Sequence, residues 1–152
     1  MKRILIALDN HENYHLISNK GYELAAALMA DVALLHVYPD PYKMNVDAFS
    51  PLYPSLSSES LDNEVSISEK LKAESEQFLN KVKSGYEDET TQILTAQGDV
   101  ADEILDAANS FKADIIVIGT HSRSGIEKLL LGNVAQKVLK HSHKPLFIVP
   151  VR

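Results

Sequence analysis

Hydrophobic positions along the chain follow two alternating rhythms. Four short runs are apolar almost without interruption: Ile4 to Leu8, Val32 to Val37, Ile115 to Ile118 and Leu146 to Val149. Runs of this length and continuity predict strands buried on both faces. A fifth, Thr90 to Ala96, mixes Thr91, Gln92 and Thr95 with Ile93 and Leu94, which predicts a strand at or near a sheet edge. Between these runs the apolar residues recur at helical spacing. Ile17, Leu24 and Leu28 form one stripe, Ile67, Leu71, Phe78 and Val82 a second, and Val100, Ile104, Ala107, Ala108 and Phe111 a third. A fourth runs from Asn133 through Val134, Val138 and Leu139. Asp99, after Gly98, and Asn133 stand where the third and fourth helices need N-caps.

The resulting order is βαβαβαβαβ. Parallel neighbours need crossover connections, which are right-handed, so the expected fold is α/β: a Rossmann-like or flavodoxin-like doubly wound parallel sheet, five strands in the order 3-2-1-4-5. In such sheets ligands bind at the carboxyl ends of the strands, where the strand order reverses. The loops after the first, second and fourth strands are therefore the places to search for chemistry.

Length and composition narrow the picture further. The 152 residues suit one domain, 1–152, and 45% of them are hydrophobic. A domain of this size buries roughly 68–70% of its unfolded surface and needs no disulfide or metal staple. With no cysteine, thiol catalysis and cysteine zinc sites are excluded, and a reducing, cytoplasmic setting is expected. The net charge of −6, with no basic stripe interleaved with aromatics, argues against a nucleic-acid partner. The opening Ile4 to Leu8 run stops at Asp9, too short for a signal peptide or a membrane span, so no membrane is expected. One stretch breaks the compact pattern. Pro39 to Asn63 carries four of the six prolines with Tyr42, Phe49 and Tyr53, and reads either as a lid beside the expected crevice or as a surface loop.

The most informative segment is Val117-Ile118-Gly119-Thr120-His121-Ser122-Arg123-Ser124-Gly125, followed by Leu131-Gly132-Asn133-Val134-Ala135. It begins as a strand and ends as a helix. Gly119 is expected to turn the backbone sharply off the fourth strand, and Gly132 and Asn133 to open a helix whose free N–H groups attract phosphate. No glycine here is followed by the Lys-Ser/Thr pair of a P-loop, and no GxGxxG follows the first strand. Fast phosphoryl transfer therefore has no visible machinery.

In these features the chain resembles the universal stress protein family, over nearly its whole length. ATP-binding members carry a glycine, two residues, a second glycine, nine residues, then glycine and a small polar residue. This chain reads Gly119, two residues, Ser122, nine residues, then Gly132-Asn133. Ile4 to Asp9, Leu34-Leu35-His36-Val37 and Gly98 to Ile104 are also similar to family stretches. The resemblance implies that Asp9 and the backbone of Val37 flank the adenosine of ATP, ADP or AMP. It implies that Ile118, Gly119, His121 and Ser122 line the ribose and phosphate side, with Arg123 as an added charge. Gly132, Asn133, Val134 and Ala135 would present the helix N-terminus to the phosphates, with Mg2+ or Mn2+ on them. Ser122 departs from the family's second glycine. At φ > 0 a serine is strained by about 1–3 kcal/mol, although its hydroxyl could donate to a phosphate. Ala7 stands where nucleotide-binding members often have proline.

Other readings stand beside these. Asp9 on position alone caps the turn into the first helix, and His121 alone is a solvent-exposed loop histidine. His141 and His143, flanked by Lys140 and Lys144, read as a cationic helix terminus instead of a metal pair. His36 reads as a satisfied core residue. The last strand, within 145–150, is apolar and bounded by prolines. At a sheet edge it would pair with a second copy, and the resemblance likewise implies a homodimer. Three functions follow: a nucleotide-binding stress sensor or adaptor with an unknown protein partner, a slow Mg-dependent ATP hydrolase, or a dimeric interaction module without nucleotide.

Overall fold

The computed structural model describes residues 1–43, 64–121 and 131–151. Most of the Pro39 to Asn63 segment, read as a lid or loop, lies outside the described residues, as do Ser122 and Arg123. The elements are β1 (Arg3–Leu8), α1 (Tyr14–Leu28), β2 (Asp31–Tyr38), a 3-10 turn (Pro41–Lys43), α2 (Glu64–Ser84), β3 (Gln92–Gln97), α3 (Val100–Phe111), β4 (Ile115–His121), α4 (Asn133–His141) and β5 (Leu146–Val151). The five strands form one parallel sheet in the order β3-β2-β1-β4-β5, as expected. β1 is central because its run is apolar on both sides: Ile4, Leu5 and Ile6 are wholly buried. The mixed run became the edge strand β3, and the proline-bounded run became the opposite edge, β5.

The pleat divides the apolar residues between two cores. Ile4, Ile6 and Leu8 of β1 meet α1 and α2 through Ile17, Ala25, Phe78, Leu79 and Val82. Leu5 of β1 meets α3 and α4 through Ala101, Ile104, Ala108, Ala135 and Val138. The predicted stripe of α2 is buried in full. That of α1 is corrected: Ile17, Ser18, Gly21 and Ala25 face the sheet, Leu24 is half-buried and Leu28 is exposed. The reason is closeness. A Cβ on Gly21 would lie 2.5 Å from Ile6 Cδ1, so α1 sits against β1 through its small residues, where a leucine stripe would hold it off.

Polar groups tie the same layer together. His36 is buried, with Nδ1 2.5 Å from the Ser75 hydroxyl of α2 and its ring edge-on to Phe78 at 5.3 Å, as a satisfied core histidine should be. At the other end of the sheet Tyr22 stacks on Tyr86 at 3.8 Å and its hydroxyl meets that of Thr91 at 3.0 Å, which fixes the α2–β3 turn to α1. Among the described residues no helix is long and apolar enough to cross a membrane.

Candidate functional site

β1 and β4 are neighbours whose following helices, α1 and α4, cover opposite faces of the sheet. A crevice must open between their carboxyl ends. It does, as a cavity of about 120 Å3 bounded by Ala7, Leu8 and Asp9 from the end of β1, Val37 from β2, Ile118 and Gly119 from β4, and Val134 from α4. Ile17, Leu35, Val100 and Ile104 complete its walls. The lining is apolar except at Asp9, the one ionisable group among the described residues that border it. An apolar cavity of about 150 Å3 admits a benzene ring, so this one is of the order of a single ring in size.

Backbone geometry adds a polar rim. The N–H of Gly98 donates to the Tyr38 carbonyl at 3.1 Å on the β3 side of β2. Carbonyls alternate along a strand, so the Val37 carbonyl turns the other way, toward β1, whose last register partner in β2 is His36 opposite Leu8. Asp9 directly follows that last pair. The N-cap position of α1 is Asn13, so Asp9 is not the cap of the first helix. His36 lies one residue before Val37 but points into the α1–α2 core. Burial pushes its imidazole below the ordinary value, against the pull of the Asp9 carboxylate.

Two helix N-termini flank the crevice, and they differ. α3 opens on Asp99, whose carboxylate accepts from the Asp102 N–H at 3.1 Å, as expected of an N-cap. Asp102 and Glu103 add two more carboxylates to that first turn. Lys137 of α4 reaches back to Asp99 at 2.9 Å and to Asp102 at 3.0 Å. The Lys137 ammonium and the Asp102 N–H hold the Asp99 carboxyl below the usual carboxylate range, and Lys137 is raised in turn by Asp99. α4 opens on Gly132, at φ −59° and ψ 158°, with no side-chain cap and no acidic residue in its first turn. Asn133, expected to cap this helix, is instead its first residue, because the glycine before it takes the extended conformation of the cap.

Among the residues singled out from sequence, Asp9, Val37, Ile118, Gly119 and Val134 border the cavity together. Gly132 and Asn133 stand at the start of α4 beside Val134, whereas Ala135 is buried against the sheet. His121 is the last residue of β4, in register with Val151. Gly119 does not turn the chain off the strand as expected; it is paired within β4, opposite Val149, and carries no positive φ. Its lack of a side chain answers a steric demand: a Cβ there would come within 2.3 Å of Ile17 Cδ1. Ala7, Leu8, Ile17, Leu35, Val100 and Ile104 were missed as lining residues, since in sequence they are indistinguishable from core stripes. Among the described residues no group of three or more His, Asp or Glu is placed to hold a metal ion.

The chain is thus a doubly wound α/β protein with an apolar crevice at the switch point of its sheet and the glycine-opened start of α4 beside it. The universal stress protein family model matches residues 1–150, and the chain belongs to that family. It is 44% identical over 85 residues to universal stress protein MJ0531 of Methanocaldococcus jannaschii, an alignment covering 55% of this chain and half of that protein. It is 28% identical to universal stress protein MJ0577 of the same organism, over 97% of this chain and 94% of the relative. The solved structure of MJ0577 superposes with a TM-score of 0.73 at 24% identity, covering 99% of this chain and 96% of that one. A universal stress protein solved in complex with cAMP superposes with a TM-score of 0.62 at 19% identity, covering 98% and 96%. At these identities the superpositions establish the fold.

Proposed function

We propose that this chain is a stress-response sensor or adaptor that binds an adenine nucleotide, ATP or its ADP and AMP products, in the crevice between β1 and β4. The observation that carries the reading is the pairing of a ring-sized apolar cavity with a helix N-terminus that opens on glycine and, among the described residues, has no side-chain cap and no acidic first turn. The base would occupy the cavity against Val37 and Ile118, with Asp9 at the rim toward the ribose. The phosphates would lie along Gly119 and His121 toward Gly132, Asn133 and the first turn of α4, where Ser122 and Arg123 join them in sequence. A divalent cation, Mg2+ or Mn2+, would ride on the phosphates; among the described residues no group of carboxylates is placed to hold one directly. The acidic start of α3 repels phosphate and thereby sets the direction of the nucleotide. That a family member is solved with cAMP supports the same ligand class.

A homodimer through the 145–150 strand belongs to the proposal. β5 is a sheet edge, Phe147 is 38% exposed, and a groove of about 410 Å3 runs between β5 and α1 past Leu16. An open apolar edge of this kind favours pairing with a second copy.

The test is the melting temperature of nucleotide-stripped protein with millimolar ATP, ADP, AMP or cyclic AMP, with and without magnesium. A ligand at about 100 times its dissociation constant stabilises the native state by roughly 2.7 kcal/mol, a visible shift. The absence of any shift with all four would end the nucleotide reading. Light scattering on wild type and Phe147→Lys tests the dimer: a dimer reduced to a monomer by the substitution is expected, and a monomeric wild type overturns it.

A further inference from the structure

The edge opposite β5 has its own construction. β3 is paired to β2 on one side only, with Ala33 to Tyr38 opposite Gln92 to Gln97, and among the described residues no strand lies beyond it. The Gly98 N–H faces β2, so alternation turns the amides and carbonyls of Ile93, Thr95 and Gln97 outward. Among the described residues this leaves six residues of edge unpaired, about 20 Å, a full strand's length. Helices α3 and α4 cover the sheet on this face from β2 across to β5, and they leave Leu94 and Ala96 only partly buried. A groove of about 340 Å3 results between β3 and α3, with Leu35, Leu94, Ala96 and Phe111 in its floor and Glu103 and Asp106 on its rim.

We propose that the β3 edge and the groove between β3 and α3 dock an extended segment of a partner protein that carries alternating apolar and basic side chains. Backbone hydrogen bonds to Ile93, Thr95 and Gln97 would hold it as a sixth strand. Its apolar side chains would enter the groove over Leu94 and Ala96, and its lysines or arginines would meet Glu103 and Asp106. The charges decide the occupant. Two copies of this chain joined by their β3 edges would bring the same acidic rims together, which opposes self-pairing and favours a basic segment. Because β3 and β5 are opposite edges, the docked segment leaves the β5 edge and the crevice open.

The probe is a blocked, fluorescein-labelled peptide, Lys-Val-Lys-Val-Lys-Val-Lys, compared with Glu-Val-Glu-Val-Glu-Val-Glu. Anisotropy titrations against the full chain should show the basic peptide binding at least about tenfold tighter than the acidic one. Amide shift changes should fall on 92–97 and on the facing turns of α3. Thr95→Pro removes an outward N–H and should abolish binding; Glu103→Lys/Asp106→Lys should reverse the charge preference, and keeps the test alive if the proline variant does not fold. Equal binding of both peptides, shifts located elsewhere, or a basic-peptide affinity unmoved by the charge reversal would overturn the proposal. So would self-association of the wild type that Thr95→Pro abolishes, since a second copy would then hold the edge.

Discussion

The two walls of the crevice are built on opposite physical terms. On the α1–α2 side the fit is steric: Ile17 is pressed against the bare backbone of Gly119, and His36 is buried against Ser75 and Phe78. On the α3–α4 side it is electrostatic: one helix start is capped and acidic, the other opens on glycine with no acidic residue in its first turn, and Lys137 joins the two. A helix N-terminus attracts anions only to the extent that its own sequence has not already satisfied it. Under the proposed function the steric wall would set where the nucleotide lies, and the electrostatic wall which way round.

Breaking the steric wall should have the largest effect. Gly119→Val places a branched side chain where a single Cβ already meets Ile17 within 2.3 Å, and overpacking of this kind costs about 1–3 kcal/mol. Denaturant unfolding should show that loss without nucleotide, and Gly119→Val with Ile17→Ala should recover part of it. An undiminished midpoint in the single variant would contradict the close-contact account.

The electrostatic wall can be made symmetric. Gly132→Asp gives α4 the acidic cap that α3 already has, so the roughly 2.7 kcal/mol of stabilisation by saturating nucleotide should vanish. The unliganded protein should hold its melting temperature or gain slightly, because aspartate is a better N-cap than glycine. A variant that still responds to ATP would show that the start of α4 does not receive phosphate.

Removing the cap from α3 is the complementary change. Asp99→Ala should cost about 1 kcal/mol. The native carboxyl titrates below its ordinary range through Lys137 and the Asp102 N–H. Its contribution is therefore complete above about pH 4 and is lost as pH falls through the lower native value. The wild type should lose stability more steeply than Asp99→Ala in that acid window, and parallel curves would remove the cap from the account.

The smallest effect lies in the buried histidine. Burial lowers the His36 pKa, so below about pH 6.5 the unfolded chain binds more protons there than the native one. Stability should be full above that pH and decline as pH falls toward the native value. His36→Gln should flatten the decline below about pH 6.5 in thermal melts, and an unchanged slope would assign it to other groups.

Much of this was legible beforehand because strands and helices announce themselves by period. All five strands and the stripe of α2 follow directly from spacing, and the mixed run of β3 marked it as an edge; the equally continuous run of β5 read as buried on both faces, yet β5 is the other edge and leaves Phe147 exposed. The reading of α1 as a leucine stripe failed because period alone cannot measure interaxial distance. Gly21 and Ser18 face the sheet since α1 approaches β1 more closely than leucines permit. The site divided in the same way. Asp9, Gly119 and the Gly132-Asn133 pair stand out in sequence because glycines and carboxylates at the ends of apolar runs are unusual, and Val37 was reached only through the family resemblance; Val100 and Ile104 do not stand out, since nothing local separates a wall of a cavity from a wall of a core.

By itself the sequence determined the class of fold, the family and the neighbourhood of the crevice, for these depend on local propensity and on the order of apolar runs. Only the tertiary structure decided what the individual residues are for. It turned Gly119 from a hinge into a point of contact, moved the cap of α4 from Asn133 to Gly132, and set an acidic helix start beside one opened by glycine. Those roles depend on what lies within a few ångströms across the sheet, and a linear chain does not carry that distance.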